Sequence, residues 1–230
     1  MQTGLIQDLA PEFDSSALGA TGNLKIDTAG GTRRIYGLLI KAMGTKHQAG
    51  DGHPYLTPEF EALVEHLSVL VDGKVKMLLN PRLARRFDLY LNANADYLAE
   101  DTLLVPFTRP GYPGSSWGTG DITSLHIKAK IVNTMPTQDP SGYAFDYTYT
   151  GLKACLAYLN LDKPEPRGSV FLQSTINLNP IAGWNQIDDL PIDNIAFASR
   201  LIFDHPAVTE VEIKVRDEVV FHLPKWAARR

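Results

Sequence analysis

The sequence predicts a mainly β protein built from two related antiparallel β-sandwiches in tandem, and three observations lead to this class. Apolar and polar residues alternate over short segments, most regularly in DITSLHIKAKIV at 121–132. Glycines and prolines, 18 and 15 of the 230 residues, separate these segments as turns do. A strand–turn–strand pattern, SVLVDGKVKMLL at 68–79, recurs as VEIKVRDEVVFHL at 211–223.

Composition limits the classes of function. The chain is 44% hydrophobic, enough to bury a core, and its 22 basic and 26 acidic residues give a formal net charge of -4. That balance provides no general reason to bind nucleic acid. A single cysteine, Cys155, excludes an internal disulfide and a cysteine-rich zinc site. We expect no signal peptide and no transmembrane helix, and hence a soluble protein made in a reducing compartment.

The first strands follow a weakly structured arm at 1–23. Leu24 and Ile26 alternate with polar residues and predict a half-buried strand. The β-forming residues of 33–43 predict a second, more apolar strand. The glycine-containing segment 44–55 predicts a loop after it.

Two segments predict helices. Thr57 is a suitable N-cap and Pro58 a suitable first helical residue, so one or two helical turns are expected there. After the first hairpin, Leu83 and Phe87 recur at helical spacing within 81–101, which predicts a longer helix.

The first hairpin can turn in two ways. A two-residue Asp72-Gly73 turn is the stronger local signal. A three-residue loop that includes Lys74 instead brings all the alternating apolar residues to one face: Leu67, Val69, Val71, Val75, Met77 and Leu79. Because a one-residue slip turns every side chain to the other face, we expect the three-residue loop.

The remaining elements complete a two-domain organisation. Strands are predicted at 102–110, 121–132 and the start of 143–161, with a glycine-rich loop at 111–120. The charged, proline-containing segment 161–168 is expected to be a linker.

The domain boundaries follow from this linker. An arm and first β domain occupy 1–160, and the N-terminal part of a second β domain occupies 169–230. In the second domain, Trp184 is expected to be buried within a loop.

The repeated hairpin is the strongest internal signal. Residues 71–86 align without gaps on 215–230, so that Val71 falls on Val215 and Val75 on Val219. A three-residue loop, 216–218, again places the alternating apolar residues on one face. Chance similarity between amphipathic hairpins is the alternative to a duplicated unit.

Candidate catalytic residues are few. Ser116 lies in GSSWG, but a nucleophile elbow requires a strand before the serine and a helix after it. A loop precedes this serine and a strand follows it, so a flexible loop is expected. His126 is expected to be an outward side chain on a strand. The histidines lack the spacings of metal sites; they are His47, His53, His66, His126, His205 and His222.

Other chemistry-bearing residues have simpler explanations. Asp51 and the pair Asp188-Asp189 are expected in turns rather than around a cation. Three tyrosines that could form a sugar-binding platform are expected to pack in a sheet: Tyr147, Tyr149 and Tyr158. We therefore predict no catalytic, cofactor-binding or metal-ligating residue, and a structural or binding protein rather than an enzyme.

A family resemblance rests on the order of these elements. GTRRIYGLLIKAMG, LTPEFEALVEHLSVLVDGKVKMLLNP, LLVPFTRP and DITSLHIKAKI, in this order, resemble the first jelly roll of the major coat proteins of corticovirus-like icosahedral bacteriophages. The Asp-Gly hairpin followed by a helix is the most specific part. Residues 190–230 resemble the opening of that family's second jelly roll.

The resemblance implies a double jelly-roll capsid protein. It implies homotrimers that form pseudo-hexagonal capsomers in an icosahedral shell, with neighbouring capsomers and other virion proteins as partners. An internal membrane lies beneath the shell in this family. The protein would be made in the host cytoplasm and reside in the virion, with no catalytic residues and no specific nucleic acid. Calcium is associated with some members' shells, but no motif here locates a site.

One departure from the family pattern concerns the second jelly roll. Its later strands have no counterpart before Arg230, so it is expected in its N-terminal part only. A segment outside this sequence completes it, the sequence is a fragment, or the fold differs. Two rival functions are a carbohydrate-binding β-sandwich with aromatic loops and a cupin-like or hydrolytic enzyme.

Overall fold

The structure is a computed structural model. It describes residues 12–48, 56–85, 99–108, 115–138, 143–168, 172, 181–187, 208, 210–215 and 218–224. Contacts divide the chain into two compact units, Met1–Asn177 and Leu178–Arg230. The domain boundaries drawn from the sequence at 161–168 remain a prediction.

The fold is mainly β with antiparallel sheets, as predicted. The first unit contains β1 (Thr21–Ile26), β2 (Arg33–Gln48), α1 (Phe60–Leu63), β3 (Val64–Val71), β4 (Lys74–Leu79), β5 (Thr102–Pro106), β6 (Trp117–Gly118), β7 (Leu125–Ile131) and β8 (Phe145–Asn160). The second unit contains β9 (Glu210–Val215) and β10 (Glu218–Pro224). None of the helices within the described ranges is long and apolar enough to cross a membrane.

The first sheet has the order β1-β7-β3-β4. Its central strand, β7, pairs with β1 on one side and with β3 on the other. The alternation predicted for this segment is confirmed, because Leu125, Ile127, Ala129 and Ile131 are all buried. In an antiparallel strand with one face on the core, every second side chain is buried, so the alternation of apolar residues in the sequence shows which side chains face the core.

The second sheet is organised around the long strand β2. β5 and β6 pair with β2, and β8 pairs with it over almost the whole strand, from Arg33↔Asn160 to Gln48↔Phe145. This pairing carries β2 through residues 44–48, so the loop predicted at 44–55 is wrong in its first part. A side chain at Gly44 would lie 2.1 Å from the Thr148 carbonyl oxygen, which explains a glycine at this bulge.

The two sheets share one hydrophobic core and therefore form a sandwich. Leu24, Leu67 and Ile127 come from the first sheet and Leu38 and Val105 from the second, and all five are fully buried in the same cluster. Burying each such side chain contributes about 1.5–3 kcal/mol. Packing between the sheets thus provides the main stabilisation of the first unit.

The first hairpin turns differently from the predicted register. Val71 pairs with Lys74, so Asp72 and Gly73 alone form the turn, with φ of 50° and 77°. These left-handed values are those of a type I′ Asp-Gly turn. The Asp72 carboxylate also accepts hydrogen bonds from two backbone N–H groups of residues 123 and 124, at 2.9 and 2.8 Å. The expected three-residue loop is wrong.

A β-bulge reconciles this tight turn with the buried face. The register skips Lys76, so that Met77 lies opposite Val69 and Leu79 opposite Leu67. These four side chains are buried, whereas Val75 is 57% exposed. The predicted face is therefore correct for five of its six residues, and Val75 is the residue that the bulge turns outward.

The second hairpin repeats both features at the equivalent positions. Val215 pairs with Glu218, which leaves two residues for the turn, and the register skips Val220 before Phe221 pairs with Ile213. The predicted three-residue loop at 216–218 is wrong in the same way. Val219, the counterpart of Val75, is 52% exposed. Two hairpins with the same turn length, bulge and exposed valine are one supersecondary unit used twice.

The two registers of the first hairpin make different predictions for mutations. Val75→Ser is expected to change the free energy of unfolding by less than about 0.5 kcal/mol, because the side chain is exposed. Val69→Ser is expected to cost at least about 2 kcal/mol, because it places a hydroxyl in the core and removes methyl groups. Urea denaturation of both variants measures the difference. Equal, large losses would mean that Val75 is buried, as in the three-residue loop.

The first predicted helix differs from the observed one at its start. α1 spans only Phe60–Leu63, and Glu59 rather than Thr57 precedes it as the N-cap residue. The Phe60 N–H donates to the Glu100 carbonyl oxygen at 2.9 Å, so a long-range contact rather than local capping sets the start. Residues 81–85 are helical after the first hairpin, and most of the helix predicted at 81–101 lies outside the described residues.

The arm and the glycine-rich loop are also more ordered than the sequence predicts. β1 begins at Thr21, inside the predicted arm at 1–23, and the Asn23 N–H donates to the Asp14 carboxylate at 2.7 Å. The short strand β6 lies inside the loop predicted at 111–120. In both places a pairing partner distant in sequence provides the order.

Candidate functional site

Ser116 does not have the setting of a nucleophile. It is fully buried just before β6, and its hydroxyl oxygen accepts a hydrogen bond from Arg34 Nη1 at 3.2 Å. The same nitrogen donates to the Ser116 carbonyl oxygen at 3.3 Å. A strand follows this serine, as expected, but the segment is buried structure rather than a flexible loop. Its role is to position the Arg34 guanidinium.

The histidines whose side chains the structure describes lie on three different strands: His47 on β2, His66 on β3 and His126 on β7. His126 lies on the outward face of β7, half-buried, with Nδ1 3.0 Å from the Asn23 side-chain oxygen. His66 is exposed on β3. Within the described ranges, no group of three or more histidine, cysteine or acidic side chains could hold a metal ion. His53, Asp51, Asp188, Asp189 and His205, like the side chain of His222, lie outside what the structure describes, so calcium stays a prediction without a site.

The tyrosines of β8 pack against the protein as predicted. Tyr147 and Tyr158 are buried, and the Arg33 guanidinium lies 4.7 Å from the centre of the Tyr158 ring. Tyr149 is half-buried, and burial raises its pKa to about 12. None of these three rings forms the exposed platform that a sugar-binding site requires.

A buried polar cluster that the sequence did not indicate connects three elements. Lys46 on β2 is only 7% exposed, and its Nζ contacts the carboxylate of Glu59, the residue before α1. Tyr147 on β8 donates its hydroxyl to the other oxygen of that carboxylate at 2.9 Å. A buried ion pair is tolerated when its remaining lone pairs are hydrogen-bonded, as here. The cluster fixes α1 against the second sheet.

The segment predicted as a linker, residues 161–168, is part of the first unit and packs against other segments of it, and we call it the connector. The Leu161 N–H donates to the Thr32 carbonyl oxygen at 2.8 Å, and the Gly120 N–H donates to the Glu165 carbonyl oxygen at 2.6 Å. The Glu165 carboxylate pairs with the Arg34 guanidinium that Ser116 positions. These contacts give the connector a defined path.

Two glycines permit this close docking. A Cβ atom at Gly118 would lie 2.3 Å from the Pro166 carbonyl oxygen, and one at Gly120 would lie 2.8 Å from backbone atoms of Glu165. Both distances are shorter than a carbon atom can tolerate against backbone. Because Gly118 and Gly120 have no side chains, the Pro-Glu-Pro stretch at 164–166 can pack directly against their backbone.

The connector ends in an ion pair whose strength depends on pH. The Arg167 backbone N–H and Nε donate to the two Asp121 carboxylate oxygens at 2.8 and 3.0 Å. Partial burial alone raises the pKa of Asp121, but these hydrogen bonds and the attraction to Arg167 outweigh it and leave the pKa below 3.8. The folded protein therefore favours the ionised carboxylate.

A lowered carboxyl pKa sets the pH range of the effect. The contribution of Asp121 to stability is fully present above its unfolded pKa of about 3.9 and is lost as the pH falls through the lower folded value. The effect is modest because the pair is partly exposed. At pH 7 we expect the Asp121→Asn variant to have a lower midpoint urea concentration of unfolding than the unmodified chain. Below about pH 4 this difference in midpoint is expected to shrink. A constant difference down to pH of about 2 would contradict the assignment.

Several large apolar side chains are exposed on the surface of the described residues. Trp184, expected to be buried, is 66% exposed. It lies in a loop that the Asn185 side chain closes by hydrogen bonds to the backbone of Ile181. Asn185 Nδ2 donates to the Ile181 and Gly183 carbonyl oxygens at 2.9 and 3.0 Å. An open groove of about 310 Å³ beside α1 is lined by charged and aliphatic residues and has no aromatic lining.

Comparison with known proteins gives matches at the level of structure only. No protein-family model and no curated protein matches the chain. The chain is similar to the crystal structure of the major capsid protein of bacteriophage PM2, with a TM-score of 0.43 and 13% identity over 69% of this chain and 52% of that one.

Two further matches are to structures from PBCV-1. A quasi-atomic model of its virus capsid has a TM-score of 0.39 and 11% identity over 69% of this chain and 43% of that one. A PBCV-1 crystal structure fitted into a reconstruction of the virophage Sputnik has a TM-score of 0.40 and 9% identity over 70% and 44% of the two chains. This chain thus spans about half the length of the chains it matches.

Proposed function

We propose that this chain is a subunit of a viral capsid that associates as a homotrimer. Each trimer is a pseudo-hexagonal capsomer of an icosahedral bacteriophage shell, in contact with neighbouring capsomers and other virion proteins. The supporting observation is the duplicated hairpin, with its shared two-residue turn and bulge. Three copies of a chain with two similar units present six similar corners, which is the geometry of such a capsomer.

Self-association requires apolar surface that becomes buried between the copies. Obligate interfaces bury about 2,000 Å² or more and are more apolar than ordinary surfaces. Exposed apolar side chains in both units provide contact residues of this kind: Leu18, Leu56, Val75, Ile181, Trp184 and Val219. The shell lies outside an internal membrane and close to it, and we assign the protein to the virion.

The same proposal assigns no catalytic activity. The Ser116 hydroxyl is buried and accepts a hydrogen bond from Arg34. His126 contacts the Asn23 side chain on the outside of a sheet. Neither residue has the geometry of a nucleophile with its base. A structural role agrees with these settings.

Sedimentation of the purified chain over a range of concentrations tests the proposal. We expect a stable species three times the mass of the 25.4 kDa chain, with a six-cornered outline in negative-stain micrographs. A species that remains at the mass of one chain at all concentrations would contradict it. The carbohydrate-binding alternative predicts instead that the single chain binds glycans and that Trp184→Ala abolishes this binding.

A further inference from the structure

The main chain holds Lys46 and Glu59 in position to meet. The Lys46 N–H donates to the Leu56 carbonyl oxygen at 2.9 Å, and the Leu56 N–H donates to the Lys46 carbonyl oxygen at 2.8 Å. Directly after Glu59, the Phe60 N–H donates to the Glu100 carbonyl oxygen at 2.9 Å. These backbone contacts place the lysine and the carboxylate together before any bond between their side chains is considered.

The surroundings of the pair exclude most water. The side chains of Lys46 and Glu59 are only 8% and 16% exposed. The Phe145 ring centre lies 4.7 Å from Lys46 Nζ, which also contacts Glu59 Oε1. The Tyr147 hydroxyl donates to the other carboxylate oxygen, Oε2, at 2.9 Å. Two buried charges carry a large desolvation cost, which a neutral product would remove.

We propose that Lys46 and Glu59 condense to an isopeptide bond between β2 and the residue that precedes α1. The bond between Nζ and Cδ forms, and the bond between Cδ and Oε1 breaks. Of the three ammonium protons, two leave with Oε1 as water and one stays on the amide nitrogen. The reaction therefore balances without an oxidant, a metal or another reactant. This self-modification does not depend on association of the chain with other copies.

Tyr147 lies where the reaction needs a hydrogen-bond donor. A proton first passes from Nζ to Oε1, the two atoms in contact, and leaves an amine beside a neutral carboxylic acid. When the amine attacks Cδ, negative charge develops on Oε2, which accepts the Tyr147 hydrogen bond. A fixed donor in a water-poor site stabilises such an oxyanion.

Proximity provides the other part of the driving force. Well-oriented neighbouring groups react with effective concentrations of up to about 10⁵–10⁸ M. Glu59 is the more exposed of the two side chains, so the released water has a path to solvent. The bond ties the end of β2 to α1 and the start of β3, and it restricts the unfolded chain as a disulfide does.

Mass spectrometry of the denatured full-length chain tests the proposal. We expect a mass lower than the sequence requires by one water molecule, about 18 Da. The Lys46→Arg variant keeps the positive charge but has no amine to acylate, and it is expected to have its full sequence mass. An unmodified chain at its full sequence mass would overturn the isopeptide bond.

Trypsin digestion locates the lost water. Trypsin is expected not to cut after an acylated Lys46, so that residues 42–74 appear as one peptide, lighter by one water. An Asp-Gly pair can also lose water by cyclising, and this peptide contains two such pairs, at 51–52 and 72–73. Normal cleavage after Lys46, or a water loss that persists in Lys46→Arg, would assign the loss to cyclisation and reject the proposal.

The role of Tyr147 is tested by the rate of bond formation. Chain made by cell-free synthesis is sampled into denaturant at intervals, and the fraction that has lost water is measured. Tyr147→Phe is expected to slow the loss by at least about tenfold. Tyr158→Phe removes another buried hydroxyl from β8 and is expected to react like the unmodified chain. Circular dichroism checks that both variants fold, and equal rates in all three chains would contradict the role of Tyr147.

The outcomes separate this inference from the proposed function. Trimers of chains at full sequence mass would overturn the isopeptide bond and leave the capsid proposal intact. A chain that carries the bond but never associates would overturn the capsid proposal alone.

Discussion

Trp117→Ala is expected to destabilise the first unit by about 3–5 kcal/mol, the usual cost of removing a buried aromatic side chain. Trp117 is fully buried at the start of β6, where its ring meets the Phe107 ring edge-on with centroids 4.9 Å apart. The alanine leaves a cavity between the short strand and the core. Since a domain is stable by only about 5–15 kcal/mol, this loss brings the unit close to unfolding.

Trp117→Phe is the matched control for that experiment. It keeps an aromatic ring against Phe107 and removes the indole N–H, which has no hydrogen-bond partner among the residues the structure describes. A buried, unpaired donor is itself costly, so the phenylalanine variant is expected to lose less than about 2 kcal/mol. Urea unfolding followed by circular dichroism compares the two. Equal losses of unfolding free energy in the two variants would show that the cavity left by alanine is not the cause of the destabilisation.

Gly118→Ala is expected to displace the connector and destabilise the fold by about 1–3 kcal/mol, as overpacking does. The added methyl group would lie 2.3 Å from the Pro166 carbonyl oxygen and 2.5 Å from that of Glu165. Backbone atoms cannot move aside as a side chain can. The connector must therefore lift, which breaks the hydrogen bond between Gly120 and Glu165.

Limited proteolysis reports that displacement directly. Trypsin is expected to cut after Arg167 faster in Gly118→Ala than in the unmodified chain, because a docked backbone resists cleavage. Gly37→Ala is the control, since its methyl group would meet the flexible end of Leu104 at 3.0 Å and would lie at an ordinary 3.6 Å from the Val105 carbonyl oxygen. Unchanged cleavage in the Gly118 variant would mean that the connector does not depend on this contact.

The sequence predicts features that depend on periodicity. The buried face of β7 and most of that of the first hairpin follow from the alternation of apolar residues, because a sheet with one face on the core imposes a period of two. The repeat could also be found, since residues 71–86 align without gaps on 215–230. The bulge could not be found, because Val75 is as apolar as its buried neighbours and only pairing shows that it faces outward.

Features that depend on distant contacts could not be predicted. Glu59 and Tyr147 are 88 residues apart in the chain, and no local pattern indicates that Tyr147 donates a hydrogen bond to the carboxylate that Lys46 also contacts. The connector looked like a linker because prolines and charges are typical of linkers. Its docking depends on glycines more than 40 residues earlier, Gly118 and Gly120. Trp184 was expected to be buried within its loop, whereas the structure has it exposed.

The most direct test is the cross-strand register of the two hairpins, because the repeat and the proposed function depend on it. In a deuterated sample, nuclear Overhauser contacts are expected between Val71 and Lys74 and, at the equivalent place, between Val215 and Glu218. Contacts of Val71 with Val75 instead, or different registers in the two hairpins, would contradict the duplication.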